Sequence, residues 1–554
     1  MATSDRLDRL RNDGTGDDDG AAGFSLAVTA GAVAAVVSLP IIVLVVQATD
    51  YGLGHLLGLV TQPSSVQVAV NSVVLTGIVT VGCVVVGVPL AVLTVQTDLP
   101  FRRFWTVVGA LPLVVPSYIG AFTFIAAFGP RGELADLLAP LGVERIPAIY
   151  GLHGAALVLV LFTYPYVFLT TRAALLSFDG TLVEAARTLN HSRWEAFKRV
   201  TVPQILPGVA AGTLLSSLYA LSDFGTPSLM RYEVFTQQIY VAQRSLGVPE
   251  GYPAMLSLQL LGIVAVVLAL ESRVGGSTSA YISRGGRQPN RVELGAWKWP
   301  ALAFCTLVAV LCLGVPLGVL GWWLVRGGEA VFEFDPAAAW NSLRVAVGAA
   351  VVATLLALPV AGYSARSTSV TSTVVDRLTY VGYAVPGVVI GVALIYLTTS
   401  VDLLTWWLPV GADAVTGVVQ SVYKTVPLLV FAYVVRFLPQ AVGTVRSSVL
   451  QVDPKLTEAA RSLGRSSTGA FREVTLPLIA PGVAAGAALV FLTTMKELPA
   501  TLMLSPIGFE TLVTYIWLVR GAGSYGAAAI PALVLVGVSA LSMVVILAQE
   551  RYNG

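Results

Sequence analysis

A helix needs roughly 20 consecutive apolar residues to cross a bilayer core about 30 Å thick. Stretches of that kind recur along this chain near 24–47, 69–95, 105–128, 150–171, 205–224 and 253–272, and again near 297–324, 343–365, 379–399, 418–440, 479–498 and 526–548. In lipid each backbone polar group must be satisfied internally, so such stretches can only be helices. The expected fold class is therefore an all-α polytopic membrane protein with about 12 transmembrane helices. Composition agrees: 56% of the 554 residues are hydrophobic and 12% charged, against about 25% charged in an ordinary soluble domain. A net charge of +2 without a long basic stripe gives no reason to expect nucleic acid as a partner. Cys83, Cys305 and Cys312 all fall inside apolar runs and read as small buried hydrophobes. No pair among His55, His153 and His191 has metal-ligand spacing, so no metal site is expected.

Basic residues set the orientation. With the N-terminus inside, 23 of the 33 Lys and Arg fall on the inner side, so both termini are expected to be cytoplasmic. Residues 1–22 form an acidic tail containing Asp17, Asp18 and Asp19, expected to be disordered and unlike a secretory signal. Residues 273–296, rich in Gly, Ser and Arg, read as a cytoplasmic linker. It separates a first domain at 23–272 (core about 67–272) from a second at 297–554 (core about 337–548).

The two halves repeat. Asn71-Ser72, Pro89 and Pro116 recur as Asn341-Ser342, Pro359 and Pro386, each 270 residues later. EAARTL at 184–189 recurs as EAARSL at 458–463, and Phe197, Pro203 and Pro207-Gly208 recur as Phe471, Pro477 and Pro481-Gly482, each 274 later. Two parallel six-helix repeats suggest a pseudo-two-fold axis along the membrane normal, with the path between the halves.

Both EAA segments fall on the cytoplasmic side, between the fourth and fifth span of their half. In the second, Asp453 and Pro454 suit the N-cap and first position of a helix. Leu456, Ala459, Ala460 and Leu463 follow helical spacing and make one face apolar. Gly464 ends the helix, and Asn190 stands at the matching place in the first copy. Asp179 matches Asp453 as N-cap, and Ser192 with Glu195 fits a capping box opening the next helix. Each segment thus reads as a rigid helix–turn–helix knob; two helices lying on the headgroups is the alternative.

This pattern of Glu-Ala-Ala, three residues, Gly, then Phe and Pro is similar to the EAA loop of binding-protein-dependent ABC importers, and the resemblance covers about 67–548. It implies the type I importer transmembrane fold, in which the loop helix docks in a groove of an ATP-hydrolysing subunit. By resemblance the coupling role falls to Glu184, Ala185, Ala186, Asn190, Phe197 and Pro203, and to Glu458, Ala459, Ala460, Gly464, Phe471 and Pro477. A Walker loop requires Gly-Lys-Ser/Thr, and none of the five lysines follows a glycine. The chain is therefore expected to be a non-enzymatic transport subunit binding no cofactor. ATP and magnesium would sit on partner ATPases, one per loop, and an external binding protein would deliver the substrate.

Narrower resemblance, in SDFGTPSLM (222–230), KELPATLML (496–504) and LPLVVPSY (111–118), is to fused ferric-iron permeases. Thiamine, sulfate or polyamine import remains an alternative, and an ion-coupled secondary transporter one from another class. Asp223 and Glu497 occupy equivalent positions at the outer end of the fifth span of each half. Ionisable groups at such depth often line a polar path. The competing readings are helix capping, or pairing of Glu497 with Lys496.

Overall fold

The computed structural model describes every residue except 1–3, 51, 131, 143–145, 178–187, 189–191, 193–194, 196, 250, 276–290, 327–333, 368, 401–411, 523–524 and 553–554. Among the described residues, ten helices are long and apolar enough to cross a membrane. Two sharply bent pairs bring the number to 12. The described chain is helical apart from loops and a single two-residue bridge, Thr97 to Val292.

The bent pairs are the third span of each half, which the sequence reading treats as continuous. Arg102–Val114 meets Ser117–Ala135 at 95°, and Val370–Ala384 meets Gly387–Thr399 at 107°. The breaks fall at Pro116 and Pro386. A proline crowds the residue before it out of the helical region, and Val115 (ψ 121) and Val385 (ψ 122) are both extended.

Elsewhere the sequence explains why the helices hold. Many Ser and Thr within the spans return their hydroxyl to the carbonyl four residues back, as Thr76 does to Ser72 and Thr398 to Leu394, which satisfies those donors within the helix. The fifth span packs on the second and fourth in each half. The contact needs small residues: a Cβ on Gly212 would stand 2.5 Å from the Val167 Cα, and one on Gly486 would stand 3.2 Å from the Ala441 Cα. Gly208 with Gly212, and Gly482 with Gly486, repeat the small-xxx-small spacing that lets membrane helices approach closely.

Packing groups the chain differently from the sequence repeat. One compact unit comprises 1–47, 335–514 and 538–554; the other comprises 48–334 and 515–537. Each first span therefore packs in the unit built mainly from the opposite half. Phe24–Thr49 turns a stripe of Ala30, Ala34, Val37 and Leu44 inward, and Val37 lies against Gly382. Gly295–Arg326 joins the other unit, where the Cys312 thiol donates to the Leu161 carbonyl at 3.2 Å. Farther along, Trp322 Nε1 donates to Glu133 at 2.9 Å and Arg326 pairs with the same carboxylate at 3.3 Å. The linker is anchored at its end. The Val292 N–H donates to the Gln96 carbonyl at 2.8 Å, the Leu294 N–H donates to Asp98 Oδ1 at 2.8 Å, and Lys298 pairs with Asp98 Oδ2 at 3.0 Å. The Leu294 N–H first, then Lys298, holds the Asp98 carboxyl below its ordinary value.

Candidate functional site

The second loop is described in full. Its helix runs Pro454–Ser462, and Asp453 caps it by accepting the Lys455 N–H at 3.0 Å. At the other end Gly464 takes φ +88, which a Cβ would strain. The Gly464 N–H then reaches the Arg461 carbonyl at 2.9 Å and the Arg465 N–H the Ala460 carbonyl at 3.2 Å. This paired closure is the Schellman motif, which satisfies carbonyls a helix end leaves open. Ser466 next caps a new helix by accepting the Gly469 N–H at 3.1 Å. Arg465 and Glu473 bridge the two arms at 3.1 Å, though both are half exposed and add little.

The direction of the apolar face bears most on function. Thr457, Ala460 and Arg461 turn toward the body and are half-buried. Leu456, Ala459 and Leu463 face outward, Leu456 at 48% and Leu463 at 84% exposure, with Glu458 exposed beside them. An outward apolar stripe on a capped, rigid helix is what a helix-in-groove partner reads.

In the first loop Glu184, Ala185, Ala186 and Asn190, with Asp179, lie outside the described residues. Its second arm is described in part. The Glu195 N–H donates to Ser192 Oγ at 3.2 Å and the Ser192 N–H donates to Glu195 Oε2 at 3.0 Å, the reciprocal capping box expected from sequence. Both arms then widen into a five-residue π-type turn, Phe197–Thr201 and Phe471–Thr475. Pro203 and Pro477 explain the widening, because each ring displaces the carbonyl four residues back, Arg199 or Glu473. Phe197 and Phe471 are half-buried, and Thr201 and Thr475 buried.

Asp223 and Glu497 each end the fifth span and cap the short helix that follows. Asp223 Oδ1 accepts the Thr226 N–H at 2.8 Å, and Glu497 Oε1 accepts the Ala500 N–H at 3.2 Å. Their remaining partners differ. Ser117 Oγ donates to Asp223 Oδ2 and shares a hydrogen bond with the Tyr219 hydroxyl at 3.1 Å. Glu497, only 6% exposed, pairs with Arg436 Nη1 at 2.8 Å. Phe162 stands where Arg436 would be in the first half, and Gly387 stands where Ser117 would be in the second. A Cβ on Gly387 would strike both Arg436 and Glu497. Of the sequence readings, capping is thus observed for both carboxylates, and Glu497 has Arg436 as its ion-pair partner.

Sequence reasoning missed Arg436, Ser117 and Gly387, which a comparison of the halves position by position would have exposed. It also used Asn71-Ser72 and Asn341-Ser342 only as markers of the repeat. In the structure they fasten the segment after each short helix. Asn71 Nδ2 donates to the Glu233 carbonyl at 3.0 Å, and Ser72 Oγ accepts the Phe235 N–H at 3.1 Å. Asn341 and Ser342 do the same to Glu510 and Leu512, both at 2.8 Å.

The family described as binding-protein-dependent transport system inner membrane component matches residues 83–271 and again 353–551. The chain belongs to this family. Both copies have the type I permease fold, so the protein is a multi-pass membrane permease of binding-protein-dependent transport. Among its relatives is the Fe(3+)-transport system permease protein FbpB 2 of Haemophilus influenzae, 29% identical over 90% of this chain and 93% of that protein. A probable ABC transporter permease protein, y4fN of Sinorhizobium fredii, is 28% identical over 87% of each chain. A probable molybdenum ABC transporter permease protein of Haloferax volcanii is 29% identical over 38% of this chain and 76% of its own length.

Proposed function

We propose that this chain is the membrane subunit of an ATP-driven importer of ferric iron. The observation that carries the substrate is the likeness to the Fe(3+)-transport system permease over 90% of the chain. The molybdenum relative covers 38%, and a spermidine/putrescine permease of Haemophilus influenzae 30%. An external binding protein delivers the iron, and two copies of a separate ATPase dock on the loops at 184–209 and 458–483. ATP and magnesium act there, and this chain holds no cofactor of its own. Both termini face the cytoplasm.

The coupling residues are Glu184, Ala185, Ala186, Asn190, Phe197 and Pro203 in one loop, and Glu458, Ala459, Ala460, Gly464, Phe471 and Pro477 in the other. The outward stripe of Leu456, Ala459 and Leu463 supports this assignment for the second loop. Asp223 and Glu497 act on the translocation path as positioning residues. Each ties the end of the fifth span to a residue at the break of the third or on the fourth, Ser117 or Arg436.

Proteoliposomes holding the chain, its ATPase and its external binding protein test the proposal. Ferric iron should accumulate only with ATP and all three proteins present. Accumulation of thiamine, sulfate, molybdate or a polyamine in place of iron would overturn the substrate. Gradient-driven uptake by the purified chain alone would overturn the ATP-driven mechanism.

A further inference from the structure

Behind the second loop lies a cleft of about 720 Å³, bounded by the first span, the cytoplasmic end of the span Pro336–Arg366 and the loop itself. Part of its lining is cationic and hydroxylic, from Arg366, Arg461, Tyr363, Ser367 and Thr468. The rest is largely apolar, including Leu26, Pro359 and Ile479. Among the described residues no carboxylate lines the cleft and none pairs with Arg366. Ser467 and Thr468 begin the 29-residue helix Ser467–Met495, whose N-terminal dipole also favours an anion.

The corresponding place in the first half is built differently. Gln96 stands where Arg366 would be and Thr97 where Ser367 would be. There the linker covers the helix end, through Val292 on the Gln96 carbonyl and Leu294 on Asp98. In the second half an arginine and a cleft take the place of that backbone bridge.

We propose that this cleft binds the phosphate headgroup of an acidic phospholipid from the cytoplasmic leaflet. Arg366, Arg461 and the first turn of Ser467–Met495 face the phosphate, and an acyl chain lies along Leu26, Pro359 and Ile479. The depth fits, because the cleft joins the cytoplasmic ends of two spans to the loop. The apolar part of the lining favours a lipid over a soluble anion, which has no use for it. A bound headgroup would brace the second loop from behind, through Arg461 on its inner face. The inference requires the chain to be membrane-embedded and is independent of the substrate.

The test is native mass spectrometry of the purified full-length chain, offered phosphatidylglycerol and phosphatidylcholine with matched acyl chains. Phosphatidylglycerol should be retained preferentially, and Arg366→Gln should lower that preference about fivefold, as expected for one basic residue at an anionic surface. Arg377→Gln, an exposed cytoplasmic charge outside the cleft, should leave it unchanged. A melting temperature measured in phosphatidylcholine alone establishes that Arg366→Gln is folded. Equal retention of the two lipids, or equal losses in the two variants, would overturn the site. If inorganic phosphate alone binds and abolishes lipid retention at low millimolar concentration, the occupant is a soluble anion and the lipid assignment fails. None of these readouts requires the ATPase or the substrate, so failure here is distinguishable from failure of the import mechanism.

Discussion

Arg436 and Glu497 sit at 16% and 6% side-chain exposure, 2.8 Å apart, so both charges are largely withdrawn from solvent. Removing one partner of such a pair leaves an uncompensated buried charge, at a cost of about 3–5 kcal/mol. Arg436→Phe, which installs the residue found in the first half, should therefore lower the melting temperature sharply. Adding Glu497→Asp and Gly387→Ser, which installs the Ser–Asp pair of the first half, should recover most of the loss. No recovery would mean that a Ser–Asp pair cannot stand in for the ion pair at this place in the second half. Gly464 offers a second test. At φ +88, Gly464→Ala should cost about 1–2 kcal/mol of local order, visible as weaker ATPase association. Gly464→Asn should be tolerated better, because asparagine adopts that conformation more readily and the first loop carries Asn190 at the matching place.

The helices divide into those legible in sequence and those that were not. The long spans were legible because lipid demands length and apolarity together. The breaks at Pro116 and Pro386 were not, since a proline in a span can bend it slightly or end it, and only packing decides. The short helices Gly225–Leu229 and Pro499–Leu504 were invisible because they are too short to show a period. Their fasteners suggest a direct test. Ser342→Ala removes the acceptor for the Leu512 N–H and should destabilise by about 1 kcal/mol, with faster hydrogen exchange confined to residues after 504. The linker anchor has a pH dependence whose sign follows from Asp98. Its folded-state carboxyl is held below the ordinary value, by Leu294 first and Lys298 second. The stabilisation is therefore present above the unfolded-state value, about 4, and is lost as pH falls through the lower folded-state value. Protection of the Leu294 amide, corrected for intrinsic exchange, should be flat from about pH 5 to 8 and fall only below about pH 4.

For the whole molecule, the repeat was the strongest signal, because matched Asn-Ser, Pro and Pro-Gly positions at two fixed offsets constrain register where hydropathy alone does not. The grouping of each first span with the opposite half was not legible. It depends on packing between segments hundreds of residues apart, and neither span carries a polar pattern that names its partner. The central claim is that two loops on one chain transmit ATP hydrolysis from outside subunits. It is tested most directly by replacing Glu184 and Glu458 together with alanine and measuring co-purification of the ATPase alongside ATP-dependent uptake. The account predicts that the ATPase no longer co-purifies and that uptake is abolished, while the permease remains folded and in the membrane. Unchanged ATPase assembly with unchanged uptake in that double variant would contradict it.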